Sequence, residues 1–106
     1  MKVRYLVATA AALAISTAAF AAEDGEALFK KSSCVSCHSV DKKSVGPSLK
    51  AVAAKYKDDK GAQATLEAKV RNGGKGSFGS MPMPATAKTV SDENIKAIVS
   101  WVLTQK

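Results

Sequence analysis

The residues best suited to chemistry lie in one short segment, Cys34-Val35-Ser36-Cys37-His38, which contains both cysteines and the single histidine of the chain. Two thiols three positions apart, followed directly by an imidazole, have the spacing of covalent haem attachment. Each thiol adds to one vinyl group of the haem, and the imidazole binds the iron. If the segment is helical, the three-residue step places both sulfurs on one face. The spacing therefore predicts a haem site at Cys34, Cys37 and His38.

Three other kinds of site share parts of this pattern. A redox-active dithiol of the thioredoxin type lies in a βαβ setting, and the sequence shows no strand pattern. A structural zinc ion takes four ligands, usually Cys and His, and no fourth Cys or His is available. A plain disulfide suits an exported protein but gives His38 no role. A haem-free dithiol protein stays open as an alternative, as does a haem enzyme or gas sensor with an open iron position.

A haem iron bound by His38 needs a second axial ligand if it is to carry electrons. Methionine sulfur is the natural candidate because it favours reduced iron and no second histidine exists. Apart from Met1, the methionines are Met81 and Met83, both within Ser80-Met81-Pro82-Met83-Pro84. The prolines restrict the backbone, so this loop could hold one sulfur in place. The residues alone do not choose between the two sulfurs, and both could instead fill gaps in an apolar core.

The elements that position these residues are predicted to be about four short α-helices. They cover residues 24–32, a segment that begins near Gly46-Pro47 with the proline in its first turn, residues 62–71, and a last segment capped by Ser91. The predicted buried faces are Leu28 and Phe29; Leu49, Val52, Ala53 and Tyr56; Leu66 and Val70; and Ile95, Ile98, Val99 and Val102. Phe29 and Trp101 are expected to pack together. Residues 72–86 hold four of the seven glycines and two prolines, so they are predicted to be a loop that ends the third helix at Gly73.

The N-terminal residues have the layout of a secretory signal. Lys2 and Arg4 form a basic start, a short apolar stretch follows, and Ala19-Phe20-Ala21 is an A-x-A cleavage site. We expect residues 1–21 to be removed, with cleavage after Ala22 as the alternative, and the protein to work in the periplasm. A retained membrane anchor is disfavoured because the uncharged run is mostly alanine with serine and threonine, which makes a weak span.

Residues 22–106 are then one small domain with a formal charge of +5, since two of the sixteen basic residues and none of the nine acidic ones precede it. A domain of this size usually needs a disulfide, a metal or a cofactor to complete its core. The haem is expected to fill the centre against five large side chains: Phe29, Leu49, Val52, Tyr56 and Trp101. The chain without haem is therefore expected to be largely unfolded.

These motifs resemble the small bacterial class I cytochromes c, the cytochrome c-551/c-552 group. The similarity runs through Glu26-Ala27-Leu28-Phe29-Lys30, Cys34 to His38, Val45-Gly46-Pro47, Val52-Ala53-Ala54-Lys55-Tyr56, Asn72-Gly73, Met81-Pro82-Met83-Pro84 and Ser100-Trp101-Val102-Leu103-Thr104-Gln105-Lys106. It implies an all-α class I cytochrome c fold, with about four short helices wrapped around one covalently attached haem c. The methionine of the family's Pro-Met-Pro triplet is the iron ligand and maps to Met83. The resemblance also implies that the Pro47 carbonyl accepts a hydrogen bond from His38.

Two departures from the family pattern concern this site. Phe78 stands where relatives often have a tryptophan that donates to a haem propionate, so the ring packing is kept and the N–H is lost. Lys69 stands where relatives often carry arginine, and we expect its ammonium to approach that propionate as a point charge. The stretch between Met83 and Ser91 is longer than usual, and Thr86 is the candidate to replace the asparagine that often touches the methionine ligand.

The resemblance implies a one-electron carrier and not an enzyme, because an iron with both axial positions filled has no place for a substrate. It implies a membrane cytochrome complex as donor, and a nitrite reductase or terminal oxidase as acceptor. Lysines are spread along the chain, either as a solvated surface or as a basic ring that steers acidic docking surfaces to the haem edge. Without a clustered basic patch, nucleic-acid binding is not expected. We expect a monomer with no stable membrane insertion after signal cleavage.

Overall fold

The computed structural model describes residues 24–106, which form four α-helices and one 3₁₀ turn. In chain order these are α1 (Gly25–Lys31), the 3₁₀ turn (Cys34–Ser36), α2 (Leu49–Lys55), α3 (Ala62–Asn72) and α4 (Asp92–Leu103). The predicted all-α fold with about four short helices is confirmed. None of the helices in this part of the chain is long and apolar enough to cross a membrane. The predicted signal segment, residues 1–21, lies outside the described residues.

Serine side chains set the starts of α2 and α4. Ser48 Oγ accepts a hydrogen bond from the Ala51 backbone N–H at 3.1 Å, and Ser91 Oγ accepts one from Asn94 at 3.1 Å. Each bond satisfies an N–H group that has no partner inside the helix. The predicted cap at Ser91 is confirmed. The prediction that Pro47 lies in the first turn of α2 is wrong, because Ser48 takes the cap position and Pro47 precedes it.

Helix α4 is the centre of the packing, since α1, α2 and α3 all contact it. The rings of Phe29 in α1 and Trp101 in α4 pack as predicted, with centroids 5.2 Å apart and planes inclined at 50°. This tilted arrangement is one that aromatic pairs prefer. The core cluster consists of Leu28, Phe29, Leu49, Val52, Leu66, Ile95, Ile98, Val99 and Val102.

The contact between α1 and α4 depends on the small size of Gly25. A Cβ atom at this position would lie 2.7 Å from Trp101 Cβ and 3.0 Å from the Ala97 carbonyl carbon, closer than such atoms pack. The glycine therefore lets α1 and α4 approach each other closely at this position.

The two cysteines lie at the start and just after the end of a single 3₁₀ turn, so the segment between them is not an α-helix. Ser33 precedes the turn in the left-handed region, with φ 65°. The backbone N–H groups of Cys37 and His38 both donate to the Cys34 carbonyl, at 3.1 and 2.9 Å. One tight turn thus holds the three residues of the predicted haem site together.

Candidate haem site

A cleft of about 960 Å³, part of it open to solvent, lies between the helices and the glycine-rich loop. Four of the five side chains expected to pack against the haem line it, whereas Trp101 does not and packs on Phe29 instead. All four helices contribute apolar side chains to its walls: Phe29, Leu49, Val52, Leu66, Val70, Ile98, Val99 and Val102.

A second cleft, also open to solvent, adjoins the first, and Cys34, His38 and Met83 line both. Cys37 lines only the second cleft. The structure therefore brings the predicted attachment residues and the predicted axial ligands together around two neighbouring clefts, although Met83 follows His38 by 45 residues in the chain.

The imidazole of His38 is held in a fixed orientation by the loop before α2. Its Nδ1 lies 2.8 Å from the Pro47 carbonyl oxygen, and since a carbonyl can only accept, Nδ1 carries the proton and donates. This tautomer leaves Nε2 with its lone pair free for a metal. A Cβ atom at Gly46 would lie 2.6 Å from His38 Cε1, so only glycine lets the backbone pass this close to the ring.

The two thiols are free and half-buried. Burial raises the pKa of the Cys34 thiol, and the nearby Cys37 adds to the rise, while a backbone hydrogen bond opposes it. Redox-active dithiols depend on a lowered pKa, because the thiolate is the nucleophile. The burial of Cys34 therefore works against the thiolate form that such a dithiol uses.

The two methionines of the loop differ in their surroundings. Met83 is half-buried and lines both clefts, whereas Met81 is 64% exposed and lines only the first. The Met83 backbone is held by two hydrogen bonds with Gly74, its N–H donating at 2.7 Å and its carbonyl accepting at 3.0 Å. These two bonds form an isolated antiparallel bridge within the long loop. Of the two sulfurs, that of Met83 is the one on a fixed backbone.

The predicted propionate contact, Lys69, lines the first cleft and donates from Nζ to Ser77 Oγ. A second lysine, Lys55, donates to the Ser77 carbonyl and lies with Nζ 4.5 Å from the centre of the Phe78 ring. Both contacts pin the glycine-rich loop at the mouth of the cleft. Phe78 lines the first cleft and is 40% exposed, so it lies at the boundary between the cleft and solvent.

Thr86 contacts the end of α3 and not Met83. Its hydroxyl donates to the Val70 carbonyl at 2.6 Å, which uses the only proton that it has to give. Four residues of the site region carry contacts that the sequence patterns did not assign: Gly46, Lys55, Arg71 and Ser77. Their signals in the sequence were weak, because a glycine before a proline indicates only a turn, and charged or polar residues in helices and loops usually indicate only an exposed position.

The residues present fit a covalently bound haem. A mainly apolar cleft lies beside two free thiols, one oriented imidazole and one half-buried thioether. Thioether and imidazole are soft and borderline donors of the kind that bind haem iron. The described residues contain no cluster of three or more His, Cys, Asp and Glu side chains that would hold a separate metal ion.

Comparisons with known proteins agree with this site. The cytochrome c family model matches residues 22–106. The chain is 48% identical to cytochrome c-551 of Pseudomonas aeruginosa over 85 residues, which cover 80% of each chain. It is 43% identical to cytochrome c-552 of Nitrosomonas europaea over 106 residues, which cover 100% of each chain. The crystal structure of wild-type Nitrosomonas europaea cytochrome c552 matches with a TM-score of 0.72 and 44% identity, covering 76% of this chain and 99% of that chain. The chain therefore belongs to the cytochrome c family, with the class I fold, covalently bound haem c as its cofactor, and electron transfer rather than catalysis as its activity.

Proposed function

We propose that this monohaem cytochrome c is exported to the periplasm and carries single electrons there between respiratory proteins, with His38 and Met83 as the axial ligands of the iron. The observation that carries the proposal is that Cys34, His38 and Met83 line the same two adjoining clefts. An iron ligated on both sides by protein has no position for a substrate, which matches an electron carrier.

Each residue of the site has a part in this proposal. Bound haem supplies a one-electron couple between ferric and ferrous iron. Cys34 and Cys37 would hold it through thioether bonds, and His38 would present Nε2 while Pro47 fixes Nδ1 at 2.8 Å. The Met83 thioether would favour the reduced state and so raise the potential.

The walls of the cleft would keep water from the iron and hold the haem in one orientation. Core residues Ile98, Val99 and Val102 of α4 form part of these walls and are almost fully buried. We assign Lys69 as a contact to a haem propionate, because its ammonium lies at the cleft and its partner there is only a serine hydroxyl. A carboxylate would be a stronger partner for that ammonium.

Export follows from the proposed signal segment, residues 1–21. In support of cleavage after Ala21, the family match begins at residue 22. The Nitrosomonas europaea cytochrome c-552 sequence matches this chain over all 106 residues, but its crystal structure matches only 76% of this chain while being covered to 99%. This difference is what removal of an N-terminal segment from that relative would produce. A basic start, an apolar stretch and an A-x-A site are typical of a signal that is removed on secretion.

The partners we propose are redox proteins with acidic docking surfaces: a membrane cytochrome complex as donor, and a nitrite reductase or terminal oxidase as acceptor. Two lysines, Lys69 and Lys75, line the first cleft, and residues 22–106 have a formal charge of +5. A basic rim raises the rate of association with an acidic partner more than the affinity. The carrier is proposed to work as a monomer, without nucleic acid and without stable membrane insertion.

The test compares Met83→Ala with Met81→Ala in protein produced with haem-attachment machinery. We expect the unmodified protein to show a low-spin reduced spectrum, haem that acid solvent does not extract, and a far-red sulfur-to-iron band. Met83→Ala should abolish that band and leave the haem attached, since thioether bonds do not depend on the axial ligand. Met81→Ala should leave the band in place, because this exposed side chain lines only one cleft.

Two results would contradict the proposal. A high-spin spectrum that Met83→Ala leaves unchanged would mean an open iron position, as in a haem enzyme or gas sensor. Loss of the far-red band in Met81→Ala, with the band retained in Met83→Ala, would assign the axial position to the other sulfur. Location is tested separately, by sequencing the N-terminus of the protein recovered from the periplasmic fraction.

A further inference from the structure

The segment that follows Met83 runs along the C-terminal end of α3. The Gly74–Met83 bridge is its first contact. A Cβ atom at Gly73 would lie 2.8 Å from the Ala85 nitrogen, so the two backbones touch at the next position. Val70 then accepts from both the N–H and the hydroxyl of Thr86, at 3.2 and 2.6 Å. From residue 83 to residue 86 the segment is thus attached to α3 step by step.

Arg71 attaches the rest of this segment. Its guanidinium donates to the Val90 carbonyl at 2.6 Å and to the Ala87 carbonyl at 3.3 Å. It also donates from two nitrogens to one Asp92 carboxylate oxygen, at 3.1 and 2.8 Å. One side chain of α3 therefore holds both ends of residues 87–92, up to the first residue of α4.

Arginine suits this position because its donors form a rigid planar fork. The fork can reach two carbonyl groups and a carboxylate at once, whereas a lysine ammonium is a single point on a flexible stem. The Arg71 side chain is only 25% exposed, while its partner Asp92 is 93% exposed. The bond to the Val90 carbonyl is half-buried and is the better shielded part of the contact, whereas the ion pair with Asp92 is exposed and is weakened by solvent.

We propose that Arg71 is a positioning residue for the axial ligand Met83, acting through residues 84–92. The proposal rests on the proposed ligation by Met83. The segment between the bridge and α4 has no helix or strand of its own among the described residues, so its position depends on side-chain contacts such as these. Without the fork, residues 87–90 lose their attachment to α3, and the backbone that carries the sulfur moves more freely. Met83 then leaves the iron more often.

The experiment measures how fast imidazole, at saturating concentration, replaces the sixth ligand of the oxidised holoprotein. Under these conditions the rate is limited by detachment of the protein's own ligand. The test variant is Arg71→Lys, which keeps the charge and removes the fork. We expect its rate to rise roughly tenfold, equivalent to about 1.4 kcal/mol.

The matched control is Gln63→Ala, which removes a different link between α3 and α4. Gln63 donates to the Lys96 carbonyl at 3.1 Å and accepts from the Ser100 hydroxyl at 3.1 Å, at the opposite end of α3 from Met83. We expect this variant to lower the urea midpoint of unfolding without changing the imidazole rate. If Arg71→Lys does not yield folded holoprotein, Thr86→Val tests the same attachment at the neighbouring contact.

The outcomes separate this proposal from the proposed function. Equal rates in the unmodified protein and Arg71→Lys, or rates that rise in both variants in step with lost stability, would make Arg71 an ordinary structural residue and overturn the inference. A missing far-red band in the unmodified protein would overturn the ligation by Met83 itself, and the inference with it. A faster replacement of the sixth ligand in Arg71→Lys, with an unchanged rate in Gln63→Ala, would support the positioning role.

Discussion

At the scale of single residues, the His38 ring is positioned by the backbone of Gly46 and Pro47, which packs directly against it. Pro47 must present its carbonyl to His38, so it cannot lie within α2, and Ser48 takes over as the cap. Gly46 passes so close to the imidazole that a Cβ atom would lie 2.6 Å from Cε1 and 2.9 Å from Nδ1. The orientation of the ring is therefore set by its neighbours in a loop, and the ring does not need a second side chain to hold it.

Gly46→Ala should displace the His38 ring and weaken the bond to Pro47. We expect the holoprotein to lose about 1–3 kcal/mol of unfolding free energy, the usual effect of overpacking a filled site. Gly61→Ala is the control, because a Cβ atom there would lie at an ordinary 3.4 Å from Asp59 Oδ1. The control should stay within about 0.5 kcal/mol of the unmodified protein. Urea unfolding followed by haem absorbance measures both, and equal effects would contradict the role of Gly46.

At the scale of elements, α4 organises the domain and α1 positions the haem attachment turn. Helix α1 packs closely on α4 because Gly25 has no side chain and because the ring of Phe29 contacts that of Trp101. Because Cys34 follows α1 after only a short connection, a shift of α1 would carry the thiols with it. The helix crossing therefore fixes one side of the site, and the attachment of the Met83 loop to α3 fixes the other.

Gly25→Ala should destabilise the protein even though alanine is the better helix former by about 1 kcal/mol. The added Cβ would lie 2.7 Å from Trp101 Cβ, so α1 must move away from α4, at a cost of about 1–3 kcal/mol. The control is Glu26→Ala, which removes only an exposed ion pair with Lys30 at 3.3 Å. That variant should change stability by less than about 0.5 kcal/mol. A Gly25→Ala protein as stable as the control would mean that the two helices can separate without penalty.

At the scale of the whole molecule, the apolar core and the cofactor cleft are the same region. Leu49, Val52, Leu66, Ile98 and Val99 belong to the core cluster and also line the first cleft. A domain this small buries too little apolar surface to be stable when the centre of its core is open to water. Haem attachment is thus expected to complete the fold as well as to supply the redox couple.

Residues 22–106 produced without haem should therefore be largely unfolded. We expect weak helical circular dichroism and no cooperative heat absorption, whereas the same chain with haem attached should melt cooperatively. A native-like apo-protein with a sharp calorimetric transition would contradict this prediction and would mean that the four helices are sufficient by themselves.

The sequence by itself determined what depends on residue type and local spacing. The Cys34-to-His38 segment predicted haem attachment, and the membership in the cytochrome c family confirms the cofactor. The apolar spacing of α4 and the Ser91 cap predicted that helix closely, because both are local effects. These features could be predicted since each depends only on residues within a few turns of chain.

Only the tertiary structure decided matters that depend on residues far apart in the chain. It brings Met83 to the clefts shared by Cys34 and His38, while it leaves Met81 exposed. It attaches Thr86 to Val70 of α3 and the Val90 carbonyl to Arg71 of α3, and it excludes Trp101 from the walls of the cleft. No local pattern encodes these pairings, because hydrogen bonds and packing between distant segments exist only once the helices have come together around α4.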